Sequence, residues 1–235
     1  MSDTLYLSLW FPNLRLEALA DKLTAVLEAF AAHGGEAKVY AATVWPMSWN
    51  EAPVLERVWG WAGEASQRGA EPRQAVEEAL ELLHEDYAYE FQIGWSLWEL
   101  ETETAGPSTR PPSADSLRMT SQKDAQDDNP GVTENPRWVR EPRLVRVTGF
   151  GPLFDEGAYE QDGHIRVDFG TDAPFLEEDA ELDAAGARHV EENVRQLVEL
   201  TTAVEKASGA TARLLWSELG ESLAQRLAAR LGMRN

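Results

Sequence analysis

The stretch DYAYEFQIGWSLWEL, residues 86–100, alternates apolar side chains with small or polar ones. This period of two is typical of a β-strand with one buried face, because successive side chains point to opposite sides of a sheet. The apolar row is therefore predicted to lie on the covered face of the sheet. It consists of Tyr87, Tyr89, Phe91, Ile93, Trp95 and Leu97.

The same row also fits a binding platform, since some α+β domains stack ligands or nucleic acid on aromatic side chains of an open sheet face. The acidic composition, with 41 Asp and Glu against 21 Lys and Arg, and the lack of basic residues among these aromatic ones favour the core. Contact residues are then predicted on the polar row and on the outer face of the first strand. They are Trp10, Glu90, Gln92 and Trp98, and the two tryptophans fit either a contact surface or a second packing layer.

The segments before residue 101 predict the order βαββαβ. LYLSLWF at 5–11 and AKVYAATVW at 37–45 alternate like strands, and apolar residues at helical spacing follow Pro12 and Pro72. PVLERVWGW at 53–61 fits either a strand or a short helix, and we favour the strand. This order is that of a ferredoxin-like α+β domain, in which two helices cover one face of a four-stranded antiparallel sheet.

A change of composition divides the chain in its middle. Residues 101–137 contain five Pro and no aromatic residue, so they cannot bury enough surface to offset the entropy of ordering. We predict a disordered linker or insertion here, between a ferredoxin-like unit at 1–100 and a second α+β unit at 138–235.

The second unit is predicted to follow the order ββαβα and to pack on or beside the first. RLVRVTGFG at 143–151 and GHIRVDFG at 163–170 alternate like strands. A helix is predicted over about 187–207, then a short strand at 210–218 and a last helix at 218–231.

Composition also limits the classes of function. The chain has no cysteine, which excludes disulfides, thiolate catalysis and Cys-based metal sites. A net charge of −20 repels phosphate backbones and anionic lipid, so direct nucleic-acid binding and membrane binding are not expected. No apolar run of membrane-spanning length and no basic leader occurs, which predicts a cytoplasmic protein.

The search for catalytic chemistry yields one arrangement. His164, Arg166 and Asp168 alternate along one predicted strand and would project from the same sheet face, as a base, an anion clamp and a carboxylate do in some active sites. A solvated outer face is the other interpretation of such a polar row. The acidic run 177–183 is predicted to be a solvated loop rather than a cation site, since it lacks calcium-loop spacing. No cofactor or metal is predicted.

Two hypotheses follow. The first is a protein-binding module, of the inhibitor or immunity type, whose acidic surface covers a basic partner protein. The second is a small enzyme of unrecognised type that uses His164, Arg166 and Asp168. Whether this row lines a concave pocket or a flat, wet face distinguishes the two.

Overall fold

The computed structural model describes residues 3–33, 35–60, 69–101, 137–176, 182–218 and residue 226. The interior of the predicted linker, most of the acidic run 177–183 and most of the predicted last helix lie outside these residues. The described strands are β1 (Thr4–Trp10), β2 (Gly35–Pro46), β3 (Leu55–Val58), β4 (Tyr87–Leu100), β5 (Trp138–Phe150), β6 (Ile165–Thr171) and β7 (Ala212–Ser217). The described α-helices are α1 (Leu19–Ala32), α2 (Pro72–Leu80), α3 (Tyr159–Asp162), α4 (Ala173–Leu176) and α5 (Ala184–Ser208), and 3-10 helices occupy Leu16–Ala18 and Phe154–Glu156.

All seven described strands form one antiparallel sheet in the order β3-β2-β4-β5-β6-β1-β7. The fold is therefore mixed α+β, as predicted. Strands from both sides of the predicted linker belong to this sheet, and the long pairing of β4 with β5 joins them.

The predicted order βαββαβ is present before residue 101, but the ferredoxin-like topology is not confirmed. A ferredoxin-like unit would build its sheet from its own four strands. Here β1 pairs with β6 and β7, and β5 and β6 separate it from β4. The apolar rows of β1 and β6 explain this pairing, since Leu7 lies opposite Val167 on the same buried face.

Helices α1, α2 and α5 cover one face of the sheet, with α1 between the other two. The predicted apolar row of β4 lies beneath them, and Tyr89, Phe91 and Trp95 are completely buried. The Trp95 ring meets Phe30 of α1 edge-on at a centroid distance of 6.0 Å. Its indole N–H donates to the His33 carbonyl at 3.0 Å. The core interpretation of this row is confirmed.

Two helices begin at residues other than the predicted ones. The first helix was expected directly after Pro12, but Asn13 adopts a left-handed conformation (φ +49°) and a 3-10 turn precedes α1. Helix α5 begins three residues early, because the Asp183 carboxylate caps it by accepting from the amides of Ala185 and Gly186. The described part of the acidic run thus has a structural role.

Among the described residues, loops and the start of α3 cover one end of the other face of the sheet. There Trp45 and Trp49 pack on the buried residues Ala88, Phe150 and Phe154. Trp49 meets the Phe154 ring at a centroid distance of 5.0 Å. This second, smaller cluster supports the β5–β6 connection, which forms one wall of the candidate site. None of the described helices is both long and apolar enough to cross a membrane.

Candidate functional site

A cavity of about 340 Å³ lies between the β1–α1 loop and the β5–β6 connection. Its deepest lining residues are buried and apolar, whereas Asn13 and Pro152 at its mouth are exposed. The complete lining consists of Phe11, Asn13, Leu14, Leu16, Leu19, Phe150, Pro152, Tyr159 and His164. An apolar cleft with a few polar groups is the usual form of a ligand site.

Glycines allow the walls of this cavity to approach the sheet closely. Gly163 has φ +86°, and a Cβ atom there would lie 2.7 Å from the Leu9 amide nitrogen. At Gly151 a Cβ atom would lie 2.3 Å from the Glu85 carbonyl oxygen. Both ends of the β5–β6 connection therefore require glycine, and the turn between them brings Tyr159 to the cavity.

His164 is the basic side chain among the residues that line the cavity. Its Nδ1 accepts a hydrogen bond from the Phe11 amide at 3.2 Å, so the neutral ring carries its proton on Nε2. Burial lowers the pKa of this imidazole, which favours the neutral form. The ring also packs on Tyr159, with centroids 4.9 Å apart. At neutral pH His164 thus offers the cavity a hydrogen-bond donor without a charge.

The three residues of the predicted row, His164, Arg166 and Asp168, contact different partners. His164 directly precedes β6, and its one described side-chain hydrogen bond is to the backbone. Arg166 forms an ion pair with Asp162, and its guanidinium lies over the rings of Tyr6, Trp49 and Phe150 at 5.4–5.9 Å.

Asp168 is engaged on the sheet itself. One of its oxygens accepts from the Gly170 amide at 2.8 Å, and the other lies 3.4 Å from the Arg146 guanidinium. Arg166 and Asp168 thus form ion pairs on the surface of the sheet. Of the three residues, His164 is the one that lines a cavity.

Glu90 and Gln92 lie near the middle of the same sheet face, in line with Thr148 and Arg146 of β5. Both side chains are half-buried. Burial raises the pKa of the Glu90 carboxyl, and the nearby Arg146 charge only partly offsets this. On β1, which β5 and β6 separate from β4, burial and a 3.0 Å hydrogen bond to Glu218 raise the pKa of Tyr6 to about 12. The assignment of Glu90 and Gln92 as binding residues stays a prediction.

The two tryptophans predicted as contact residues lie at distant places. Trp10 is half-buried at the end of β1, opposite Ala212 of β7. Trp98 is half-buried at the far end of β4, where its ring lies 4.1 Å from the His189 ring of α5. Its backbone N–H and C=O both bond to the Asn193 side chain, so this end of β4 is tied to α5. The structure thus gives Trp98 a packing role, which is one of the two roles that the sequence indicated for it.

A second cavity of about 420 Å³ lies between β3 and α2. Arg57 and Glu78 line it and form an ion pair with each other at 3.5 Å, and no fully buried residue forms its floor. Within the described residues there is also no group of three His, Asp or Glu side chains placed to hold a metal ion. The His164 cavity is therefore the better candidate for a ligand site.

Comparison with known proteins adds no further assignment. No family model, no curated protein and no solved structure matches this chain.

Proposed function

We propose that this chain is an interaction protein, of the inhibitor or immunity type, whose acidic surface binds a basic partner protein. The observation that carries the proposal is how the charges are distributed over the described surface. Most of the described Lys and Arg side chains are already in ion pairs: Lys38, Arg57, Arg137, Arg140, Arg143, Arg146, Arg166, Arg195, Arg213 and Arg226.

Many carboxylates, in contrast, are exposed and form no ion pair with another described residue. They include Glu17, Asp21, Glu28, Glu51, Glu56, Glu77, Glu81, Glu85, Glu141, Asp155, Glu156, Glu160 and Glu199. The uncompensated field around the described part of the chain is therefore negative. Such a field accelerates encounter with a positively charged protein and suppresses contact with acidic ones.

The enzyme hypothesis has one observation in its favour, the neutral His164 in a cavity. The three predicted catalytic side chains do not converge on this cavity, because Arg166 pairs with Asp162 and Asp168 pairs with Arg146. A general base also needs a free lone pair, and in neutral His164 the Phe11 amide occupies the lone pair of Nδ1 while Nε2 carries the proton. Binding is thus the function that the geometry supports better.

The proposal is tested by affinity capture from a lysate of the source organism, with the wild-type chain and two charge-reversed variants as bait. One variant carries Glu17→Lys, Asp155→Lys and Glu160→Lys, and the other carries Glu77→Lys, Glu81→Lys and Glu199→Lys. We expect a basic protein that binds the wild type and is lost from at least one variant. A captured protein of acidic composition, retained equally by all three baits, would contradict the proposal.

A further inference from the structure

Four of the exposed carboxylates adjoin, along the chain, residues that line the His164 cavity. Within the chain, Glu17 follows Leu16 of the lining, Asp155 and Glu156 lie between Pro152 and Tyr159, and Glu160 follows Tyr159. We call Glu17, Asp155, Glu156 and Glu160 the rim carboxylates. All four are exposed, and Arg15 is the exposed cation beside them.

We propose that the cavity receives a tyrosine side chain of the basic partner, while Lys or Arg residues next to that tyrosine contact the rim carboxylates. This inference rests on the proposed function, since it names the part of the acidic surface that the partner contacts.

The size and lining of the cavity fit an aromatic ring. A volume of about 340 Å³ exceeds the roughly 150 Å³ that accommodates benzene in an engineered apolar cavity. Three aromatic residues, Phe11, Phe150 and Tyr159, line the cavity together with the apolar residues Leu14, Leu16 and Leu19. Aromatic residues that fill such pockets carry much of the binding energy of protein interfaces.

The polar groups of the lining select a ring with a hydroxyl group. The Nε2–H of neutral His164 is a donor, and no described residue accepts from it. A phenolic oxygen can accept this hydrogen bond, whereas a phenylalanine ring would leave the donor unpaired at a cost in affinity. No Lys, Arg, Asp or Glu lines the cavity, so the buried part of the ligand is uncharged.

Backbone hydrogen bonds hold the walls of the cavity in place. The amides of Gly151, Leu153 and Asp155 donate to the carbonyl groups of Tyr87, Glu85 and Met47 at 2.7–2.9 Å. This ties the β5–β6 connection to two neighbouring loops. A preformed pocket loses little conformational entropy on binding, which favours recognition of a single inserted side chain.

Three capped tripeptides test the inference: acetyl-Lys-Tyr-Lys-amide, acetyl-Lys-Ala-Lys-amide and acetyl-Glu-Tyr-Glu-amide. Their affinities for the full chain are measured by NMR chemical-shift titration. We expect Lys-Tyr-Lys to bind about tenfold more tightly than either of the others, because it alone combines the ring with the charges.

Failure of this inference can be distinguished from failure of the proposed function. Equal affinity of Lys-Tyr-Lys and Lys-Ala-Lys would exclude the cavity and leave the acidic surface as the binding element. Equal affinity of Lys-Tyr-Lys and Glu-Tyr-Glu would show that the rim carboxylates do not contribute to binding. That result would overturn the inference and remove support for a basic partner. Equal affinity of Lys-Tyr-Lys and uncharged N-acetyl-tyrosinamide would indicate a small-molecule site and also overturn the inference.

Cavity variants locate the binding. Leu14→Trp fills the cavity and should weaken Lys-Tyr-Lys binding about tenfold, whereas the control Leu214→Trp on the exposed face of β7 should not change it. Near-UV circular dichroism confirms that both variants are folded. In a second measurement, the wild type should prefer Lys-Tyr-Lys over Lys-Phe-Lys, and His164→Phe should abolish that preference. A preference that persists in His164→Phe would exclude the donor role of His164.

Discussion

At the scale of single residues, a half-buried charge can lower the stability of the fold, and Glu90 is such a residue. It lies on the open face of the sheet, which is the face opposite helices α1, α2 and α5. Glu90 lies opposite Thr148 of β5 and Thr43 of β2 on this face, and burial raises the pKa of its carboxyl. The ionised form of Glu90 is thus less favourable in the folded chain than in the unfolded chain, even with Arg146 nearby. Such a residue costs stability at neutral pH.

Glu90→Gln should therefore stabilise the protein. Because the folded-state pKa of Glu90 is raised, its penalty is absent below the unfolded pKa of about 4.3 and is complete above the folded pKa. We expect the melting temperature of Glu90→Gln to exceed that of the wild type by a few degrees at pH 7. The difference should shrink as the pH falls toward about 4. Thermal melts followed by circular dichroism at several pH values measure it, and a less stable variant at pH 7 would show that the attraction between Glu90 and the Arg146 charge dominates.

His164 should show the opposite dependence on pH. Its folded-state pKa is lowered, so the unfolded chain binds a proton first as the pH falls below about 6.5, and this destabilises the folded state. His164→Asn keeps an acceptor near the Phe11 amide but does not titrate. Between about pH 7 and pH 5 the wild type should lose more stability than His164→Asn in urea unfolding. Parallel losses in both proteins would mean that His164 is not held neutral.

At the scale of elements, the sequence predicted what each strand buries but not which strands pair. The alternation of β4 identifies its buried face because side-chain direction depends only on local backbone geometry. The partner of β1 depends on the register of β6 and β7, which lie more than 150 residues later in the chain. Periodicity carries no information about that choice.

The same limit applies to the candidate site. His164 was predicted from its polar row, whereas Phe11 and Tyr159 were not, because the contact of Phe11 with His164 joins residues 153 positions apart. The available signal was the spacing of Gly151, Gly157 and Gly163 around Tyr159, which indicates a tightly folded connection. Which element that connection would face could not be read from the sequence.

The face assignment of β4 and β5 predicts unequal effects of two truncations. Phe91→Ala removes a completely buried ring and should lower the free energy of unfolding by about 3–5 kcal/mol. Leu144→Ala truncates a side chain that is 40% exposed on the opposite face and should change it by less than about 0.5 kcal/mol. Urea unfolding of both variants measures the two effects. Similar losses would show that both faces of the sheet are buried.

At the scale of the whole molecule, strands from both ends of the chain interleave in one sheet. β1 lies between β6 and β7, and β4 pairs with β5 along its whole length. At the ends of this pair the Glu101 amide donates to the Arg137 carbonyl at 2.8 Å, so the chain leaves and re-enters the sheet at adjacent points. A short turn can span that distance.

Replacing residues 102–136 with a four-residue Gly-rich turn should therefore preserve the fold. We expect the melting temperature to change by only a few degrees, because the paired ends of β4 and β5 remain in register. As a control, fragments 1–101 and 137–235 expressed separately should not fold, since β1 would lose both of its neighbours. Two independently folded fragments would contradict the single sheet and favour the division into two units.

The acidic surface is the central claim at this scale, and the association rate with the captured partner tests it most directly. Stopped-flow measurements between about 20 and 500 mM salt should show a rate constant that falls steeply as screening increases, with a much smaller change in the dissociation rate. The variant Glu17→Lys, Asp155→Lys and Glu160→Lys should associate more slowly than the wild type at low salt and approach it at high salt. An association rate that is independent of salt, and equal in the variant and the wild type, would contradict the account.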